Sequence, residues 1–211
     1  MPDPDPLRTR ETLIIRLRDP EDAASWTEFA EIYTPLFYGF CMKRGLNHTD
    51  TADIVQEVMR GVARAMRGFQ YDPSKGKFKT WLFTAVRNAI STHFRKQSRR
   101  PVTVAETQLM MKISEQPDER EQLDWERDYQ RQLLGWAMEQ IRGDFGEKVW
   151  RAFELTALRG RDPGEVGREL DMSNNAVAVA KHRITQRLKE KAQAVDAERW
   201  EGEMIARSGA G

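Results

Sequence analysis

From Asp19, with Pro20 in the first helical position, apolar residues fall at Trp26, Phe29, Ala30, Tyr33, Phe37 and Phe40. This three-and-four spacing marks one face of a helix, with Pro35 inside it as the expected point of a kink. After a break at Gly45–Asn47, a second long helix places Val55, Met59, Val62, Ala63 and Met66 inward and Asp53, Gln56, Glu57, Arg60 and Arg64 outward. The loop Tyr71-Asp-Pro-Ser-Lys-Gly-Lys77 carries the Pro and Gly that stop helices; a third helix follows from about Phe78 to Lys96. Residues 98–122 lack sustained periodicity and are bounded by Pro101 and Pro117, which reads as a linker. Beyond it, Trp125, Tyr129, Leu133, Trp136 and Ala137 predict one amphipathic helix, and Phe145, Val149, Ala152 and Phe153 the next.

Asp162-Pro163-Gly164-Glu165 combines a cap, a proline at the first helical position and an acid three residues after the cap. Leu170–Ser173 then makes a short turn, with Ser173 capping a last helix through about Leu188. Two helices across so tight a turn have the form of a helix-turn-helix. No segment alternates convincingly as a strand. The fold class expected is all-α: two small helical domains at 12–100 and 122–192, a linker at 101–121 and a tail at 193–211, the C-terminal domain being the helix-turn-helix.

Composition narrows the classes. A chain of 211 residues suits one or two small domains. The longest uncharged run, Ile32–Met42, is about half the length a helix needs to cross a bilayer. Met1-Pro-Asp-Pro-Asp-Pro6 has neither the basic stretch nor the apolar core of a secretory signal, so a cytoplasmic protein without membrane contact is expected. The single cysteine, Cys41, lies beside Phe40 in an apolar stretch and reads as a buried small hydrophobe. Disulfide scaffolds and structural zinc are excluded by the lack of Cys/His clusters, and no metal or cofactor is expected.

The near-neutral total, 34 Lys+Arg against 33 Asp+Glu, conceals segregation. Residues 73–105 carry eight bases (Lys75, Lys77, Lys79, Arg87, Arg95, Lys96, Arg99, Arg100) and no acid, whereas residues 106–128 carry eight acids against three bases. Residues 181–191 are basic again. Two basic patches with an acidic stretch between them suggest two contacts with a polyanion.

On the third helix, Leu82, Val86, Ala89 and Ile90 share one side, and Thr84, Arg87, Asn88, Ser91 and Arg95 the other. A face of bases and small hydrogen-bonding residues without carboxylates suits phosphates and base edges; the plainer reading is a solvated helix face. Before it, Lys75, Lys77 and Lys79 interleave with Phe78 and Trp81, a pattern that suits unstacked DNA, although Trp81 and Phe83 also read as core. The stripe Asp53, Gln56, Glu57, Arg60 is by itself ordinary solvent surface. His48, His93 and His182 fall in separate elements, and neither a glycine-rich phosphate loop nor a nucleophile motif is present. No catalytic residue, enzymatic activity or small-molecule substrate is expected.

Asp53-Ile-Val-Gln-Glu-Val58, Phe78-Lys-Thr-Trp-Leu-Phe83, Ala85-Val-Arg-Asn88 and Phe94-Arg-Lys96, followed by a linker and a C-terminal helix-turn-helix, resemble the extracytoplasmic-function (ECF) sigma factors of bacterial RNA polymerase. The resemblance covers about residues 12–100 and 122–190. It implies that Asp53, Gln56, Glu57 and Arg60 bind core RNA polymerase at the coiled coil of the beta-prime clamp. It implies also that Lys75, Lys77, Phe78, Lys79, Arg87, Asn88, Ser91, Arg95, Lys96 and Arg99 recognise and help melt the minus-ten promoter element. Ser173, Asn175, Val179, Lys181, His182, Arg183 and Gln186 would read the minus-thirty-five element as duplex, and the linker would pass through the polymerase, its acidity keeping it off the DNA backbone. Exposed polymerase-binding surfaces invite an inhibitory partner, an anti-sigma factor.

The chain departs from the family where Ala178, Val179 and Ala180 stand early in the recognition helix and the bases follow at Lys181, His182, Arg183 and Arg187. An apolar contact, for instance with a thymine methyl, is then the expected readout. Asp171 replaces the glycine common at the turn. The alternatives from other classes are a helix-turn-helix regulator that acts without polymerase and a helical anti-sigma-like adaptor whose basic faces are merely solvated.

Overall fold

The structure, a computed structural model, describes residues 13–68, 78–97 and 117–195. Among them only helices and turns occur: α1 (Leu13–Arg16), α2 (Ala23–Met42), α3 (His48–Met66), α4 (Phe78–Gln97), α5 (Glu119–Ile141), α6 (Glu147–Phe153), α7 (Pro163–Leu170) and α8 (Asn174–Val195). A 3₁₀ turn, Arg142–Asp144, precedes α6, and a π-helical turn, Glu154–Leu158, extends it. The all-α class read from the periodicity is what the structure has.

The chain divides into two compact units, one spanning Leu13–Gln132 and one containing residues 133–195. In the first, α2 buries Phe29, Ile32, Tyr33, Leu36, Phe37, Phe40 and Cys41, the apolar face that its sequence repeats. Its start differs from the sequence reading: Asp19 Oδ1 accepts from Glu21 N at 2.9 Å and closes a turn, and the cap of α2 is Asp22, whose Oδ1 accepts from Ser25 N at 2.9 Å. That amide, the largest influence, and the Arg16 guanidinium hold the Asp22 carboxyl below its ordinary range. Helix α2 continues through Pro35, which has no amide to give the Glu31 carbonyl. Gln132 Nε2 donates to that oxygen at 3.4 Å instead.

Helix α3 turns Ile54, Val55, Val58, Val62 and Met66 inward, leaving Met59 and Ala63 half-buried at the edge of the stripe. Helix α4 buries Leu82, Phe83, Val86, Ile90 and Phe94. Cys41 is fully covered, and burial pushes its thiol up to about 12, so it acts as a small hydrophobe.

The two units divide at Gln132/Leu133, inside α5, because this helix begins at Glu119 and its first half packs into the first unit. Trp125 is 3% exposed and lies between Phe37, Phe40 and Phe83, with ring centroids 6.2, 5.3 and 5.5 Å away. Tyr129 stacks on Tyr33 at 5.8 Å. Residues 101–116 and the tail from 196 lie outside the described residues.

The second unit packs through small and large residues together, Trp150 and Phe153 being buried with ring centroids 5.6 Å apart. Ala152, Leu155, Val166, Val177 and Ala180 form its core cluster, with Val149, Leu170 and Met172 against it. Asp162 caps α7 through Oδ1, accepting from Gly164 N at 2.9 Å and Glu165 N at 3.0 Å, with Pro163 at the first position. The turn from α7 to α8 passes through Asp171, at φ 49° and ψ 58°, in the left-handed region where glycine is usual. A Cβ on Gly167 would stand 2.7 Å from the Met172 carbonyl oxygen, so the two helices approach this closely only because residue 167 is glycine.

Candidate nucleic-acid interface

Helix α4 runs from Phe78 at one end to the bases Arg95 and Lys96 at the other, and no acid interrupts it. Thr84, Asn88, Arg95 and Lys96 are exposed, and Ser91 is half-buried. Their hydroxyl, amide and cationic groups share a surface that can donate to phosphate oxygens and meet base edges. Arg95 Nη2 also donates to Thr92 Oγ1 at 3.0 Å, which orients the guanidinium along the helix.

Three residues expected on this surface are placed otherwise. Phe78 is 5% exposed, stacked on Trp81 at 5.5 Å and edge-on to Tyr33 at 6.4 Å, so its ring is core. Lys79 Nζ meets Glu126 Oε1 at 2.6 Å above the Tyr129 ring. Arg87, expected on the polar face, is 5% exposed, and its guanidinium is ion-paired with Glu121 of α5. The same carboxylate takes the Arg44 guanidinium with its other oxygen. Burial lowers the Arg44 pKa from its ordinary value, and the Glu121 hydrogen bond opposes that shift. A lone guanidinium would be costly here; a carboxylate shared between two makes their burial tolerable. Trp81 is half-buried, and Phe83 is core. Lys75, Lys77 and Arg99 lie outside the described residues.

Sequence reasoning missed Glu121, Arg44 and Lys43, and read Trp125 as the apolar face of a helix without its partners. Lys43 Nζ meets Asp128 Oδ2 at 2.6 Å, and Trp125 Nε1 donates to the Lys79 carbonyl at 3.2 Å. A signal was present: the acids of residues 106–128 carry the sign opposite to the cationic segment before them, and Trp125 and Tyr129 stand four apart on the same helix. Helix α5 thus lies on the N-terminal unit through rings at its centre and ion pairs around them.

On α3, Asp53, Gln56 and Arg60 are exposed, and Glu57 receives Arg60 at 3.2 Å and Arg64 at 3.4 Å. The buried stripe behind them fixes this charged face outward. His93, read beside the apolar side of α4, is close to Asp50 of α3, Nε2 to Oδ1 being 3.2 Å.

In the second unit, Ser173 Oγ accepts from Ala176 N at 3.1 Å and caps α8. Ser173, Asn175, Val179, Lys181, His182, Arg183 and Gln186 are all exposed, while Val177, Ala180, Ile184 and Leu188 hold the inner face. Val179 is 45% exposed, an apolar contact point flanked by cations. Arg187 turns to Asp144 and Glu190, at 3.2 and 3.3 Å, and the first of these hydrogen bonds is the main reason its pKa is raised. A mostly apolar cavity of about 320 Å³ lies at the base of this helix, lined by Thr156, Pro163, Val177, Ala178, Lys181, His182 and Thr185.

Among the described residues no group of three or more His, Cys, Asp or Glu could hold a metal ion, and no helix is long and apolar enough to cross a membrane.

Residues 29–100 match the Sigma-70 region 2 family. That span runs from within α2 through α3 and α4, and so includes both the α3 charged face and the α4 surface. The chain is also 26% identical over 176 residues to the ECF RNA polymerase sigma factor RpoE of Cereibacter sphaeroides, covering 83% of this chain and 93% of that protein. Together the two findings support an ECF sigma factor.

Proposed function

We propose that this chain is an ECF sigma factor: it binds core RNA polymerase and directs it to a class of promoters. The observation that carries the reading is the region 2 match, which falls on the three helices that bear the exposed α3 stripe and the α4 surface. On this reading Asp53, Gln56, Glu57 and Arg60 dock on the beta-prime clamp coiled coil. Exposed Asn88, Arg95 and Lys96, with Ser91, meet the minus-ten element, where trapping an unstacked base offsets an unpairing cost of a few kcal/mol. Helices α7 and α8 act as a helix-turn-helix on the minus-thirty-five duplex. Val179 at the surface favours an apolar contact with a thymine methyl, and the neighbouring Lys181 and Arg183 favour phosphate contacts. Two modest contacts joined through the polymerase gain by effective concentration, so neither domain needs to hold DNA tightly alone. The protein works in the cytoplasm, without catalysis of its own, and an anti-sigma partner would act by covering the α3 stripe.

Run-off transcription from a promoter-containing genomic library, with purified bacterial core polymerase, tests this reading. New transcripts are expected with the wild-type chain and not with Asp53, Gln56 and Glu57 changed to Ala. Absence of transcripts, with stable duplex binding by the free protein, would replace it with a regulator that acts without polymerase; absence of both would favour an adaptor.

A further inference from the structure

Within the first unit, the two halves of the α5 segment that packs there are attached very differently. From Trp125 onward the attachment is by buried rings. Before it, Glu119, Arg120, Gln122, Leu123 and Asp124 are exposed, and Glu121 alone turns inward. Its side chain is 11% exposed and joins the guanidiniums of Arg44 and Arg87. Other bonds of this stretch are local: Glu121 N donates to Asp118 Oδ1 at 2.6 Å and Gln122 Nε2 to the Pro117 carbonyl at 3.5 Å, both just before the helix, and Arg127 meets Asp124 at 3.5 Å. Beneath it lies a polar cleft of about 570 Å³, bounded by Phe40, Lys43, Arg44, Glu121 and Trp125 among others. A helical end held over a cleft by one carboxylate is separable from a helix centre held by stacked rings.

We propose that Glu119–Asp124 is an autoinhibitory latch, closed by Glu121 across Arg87 and Arg44, which hinges at Trp125 and must open before Arg87 can reach nucleic acid. The inference rests on α4 being the promoter-facing helix. With Glu121 paired to it, Arg87 is 5% exposed, so a phosphate or base edge can approach its guanidinium only with the latch raised. Trp125 and Tyr129 keep α5 on the unit in either state, so opening moves about a turn and a half of helix and leaves the aromatic core intact. A strand of phosphates arriving at α4 competes with one carboxylate for the same cation, and this couples nucleic-acid binding to latch opening.

The test compares the full-length wild type with Glu121→Gln, which keeps the side-chain shape and removes the charge. Amide hydrogen exchange reads the latch, and a fluorescein-labelled pool of random-sequence 20-nucleotide single strands reads Arg87. In the variant, amides 122–124 exchange at least tenfold faster while 128–132 keep their protection. The DNA pool binds about three- to tenfold more tightly, and Arg87→Gln in the same chain abolishes the gain. Unchanged exchange at 122–124, unchanged affinity, or a gain that survives loss of Arg87 each overturns the proposal. If Glu121→Gln loses protection across 128–132 as well, Glu121→Asp, which retains the charge on a shorter arm, carries the same comparison. Run-off transcription separates the two readings. Transcripts from the wild type with no effect of the variant on exchange or affinity sink the latch alone; faster exchange and Arg87-dependent tightening without transcripts sink the sigma-factor reading alone.

Discussion

The two units are both made of helices and both bury aromatic rings, yet they are closed over different distances along the chain. In the first, a nest of large rings, Tyr33, Phe37, Phe40, Phe83, Trp125 and Tyr129, draws in a helix from far along the sequence. The second buries rings too, Trp150 and Phe153 lying 5.6 Å apart, but its α7–α8 turn closes locally, on Gly167, with Ala152 and Ala180 in the core cluster beside it. Rings bury much area, so a few of them hold a helix that arrives from far along the sequence. A glycine whose Cβ would stand 2.7 Å from backbone leaves one close approach, which fixes how α8 follows α7.

The largest effect expected from this contrast is at Trp125. Its change to Ala removes the ring that three phenylalanines surround and should cost about 3–5 kcal/mol of first-unit stability. Denaturant unfolding followed by hydrogen exchange at α2 and α4 measures it, with α7 and α8 keeping wild-type protection. A cost under about 1 kcal/mol would mean that the nest is not what holds α5.

Gly167→Ala should show the reverse localisation. A methyl 2.7 Å from the Met172 carbonyl oxygen has no side-chain end to push aside, only backbone, so the α7–α8 turn must open. A loss of about 1–3 kcal/mol is expected, the range of overpacking. Faster exchange confined to α7 and α8, with the α2 amides unchanged, would sharpen the contrast; no loss would erase it. Asp162→Ala should cost less, about 1 kcal/mol, since it removes the acceptor of two first-turn amides and no packing. Its readout is a shift of the thermal midpoint with a wild-type denaturant slope.

These differences also decide what could be read from the sequence. The aromatic spacing of α2 and the cap, proline and acid at Asp162–Glu165 are local signals, and the structure carries both. The partner of α5 is not a local property. Trp125 and Tyr129 show that α5 has an apolar face, but periodicity is silent on which unit receives it. Arg87 fell to the same gap: at 100° per residue it belongs with Asn88 and Ser91, whereas the arrival of Glu121 from α5 gives its buried guanidinium a carboxylate. The helix starts after Asp22 rather than at Pro20 because Asp19-Pro20 and Asp22 both satisfy helix-start chemistry, and the short turn closed by Asp19 leaves the cap to Asp22. On α8 the exposed set followed from a single inner stripe, for there no distant segment intervenes.

Asp171 gives the smallest and most discriminating effect. It is the one non-glycine residue at positive φ among those described, and its side chain is fully exposed. Replacing it with Gly relieves the left-handed backbone but loosens the unfolded chain, and these contributions are similar and opposed. Lys148 Nζ keeps its bond to the residue 171 carbonyl, 2.7 Å away, and loses only a carboxylate 3.8 Å distant in solvent. The thermal midpoint of Asp171→Gly should therefore stay within about 3 °C of wild type. Asp171→Val should fall well below both, since a β-branched side chain is crowded at positive φ. If Gly instead raised the midpoint by much more, residue 171 would be the strained point of the turn. If wild type and both variants melted together, the turn would be free to adopt another conformation, and the single geometry ascribed to the α7–α8 turn would not hold.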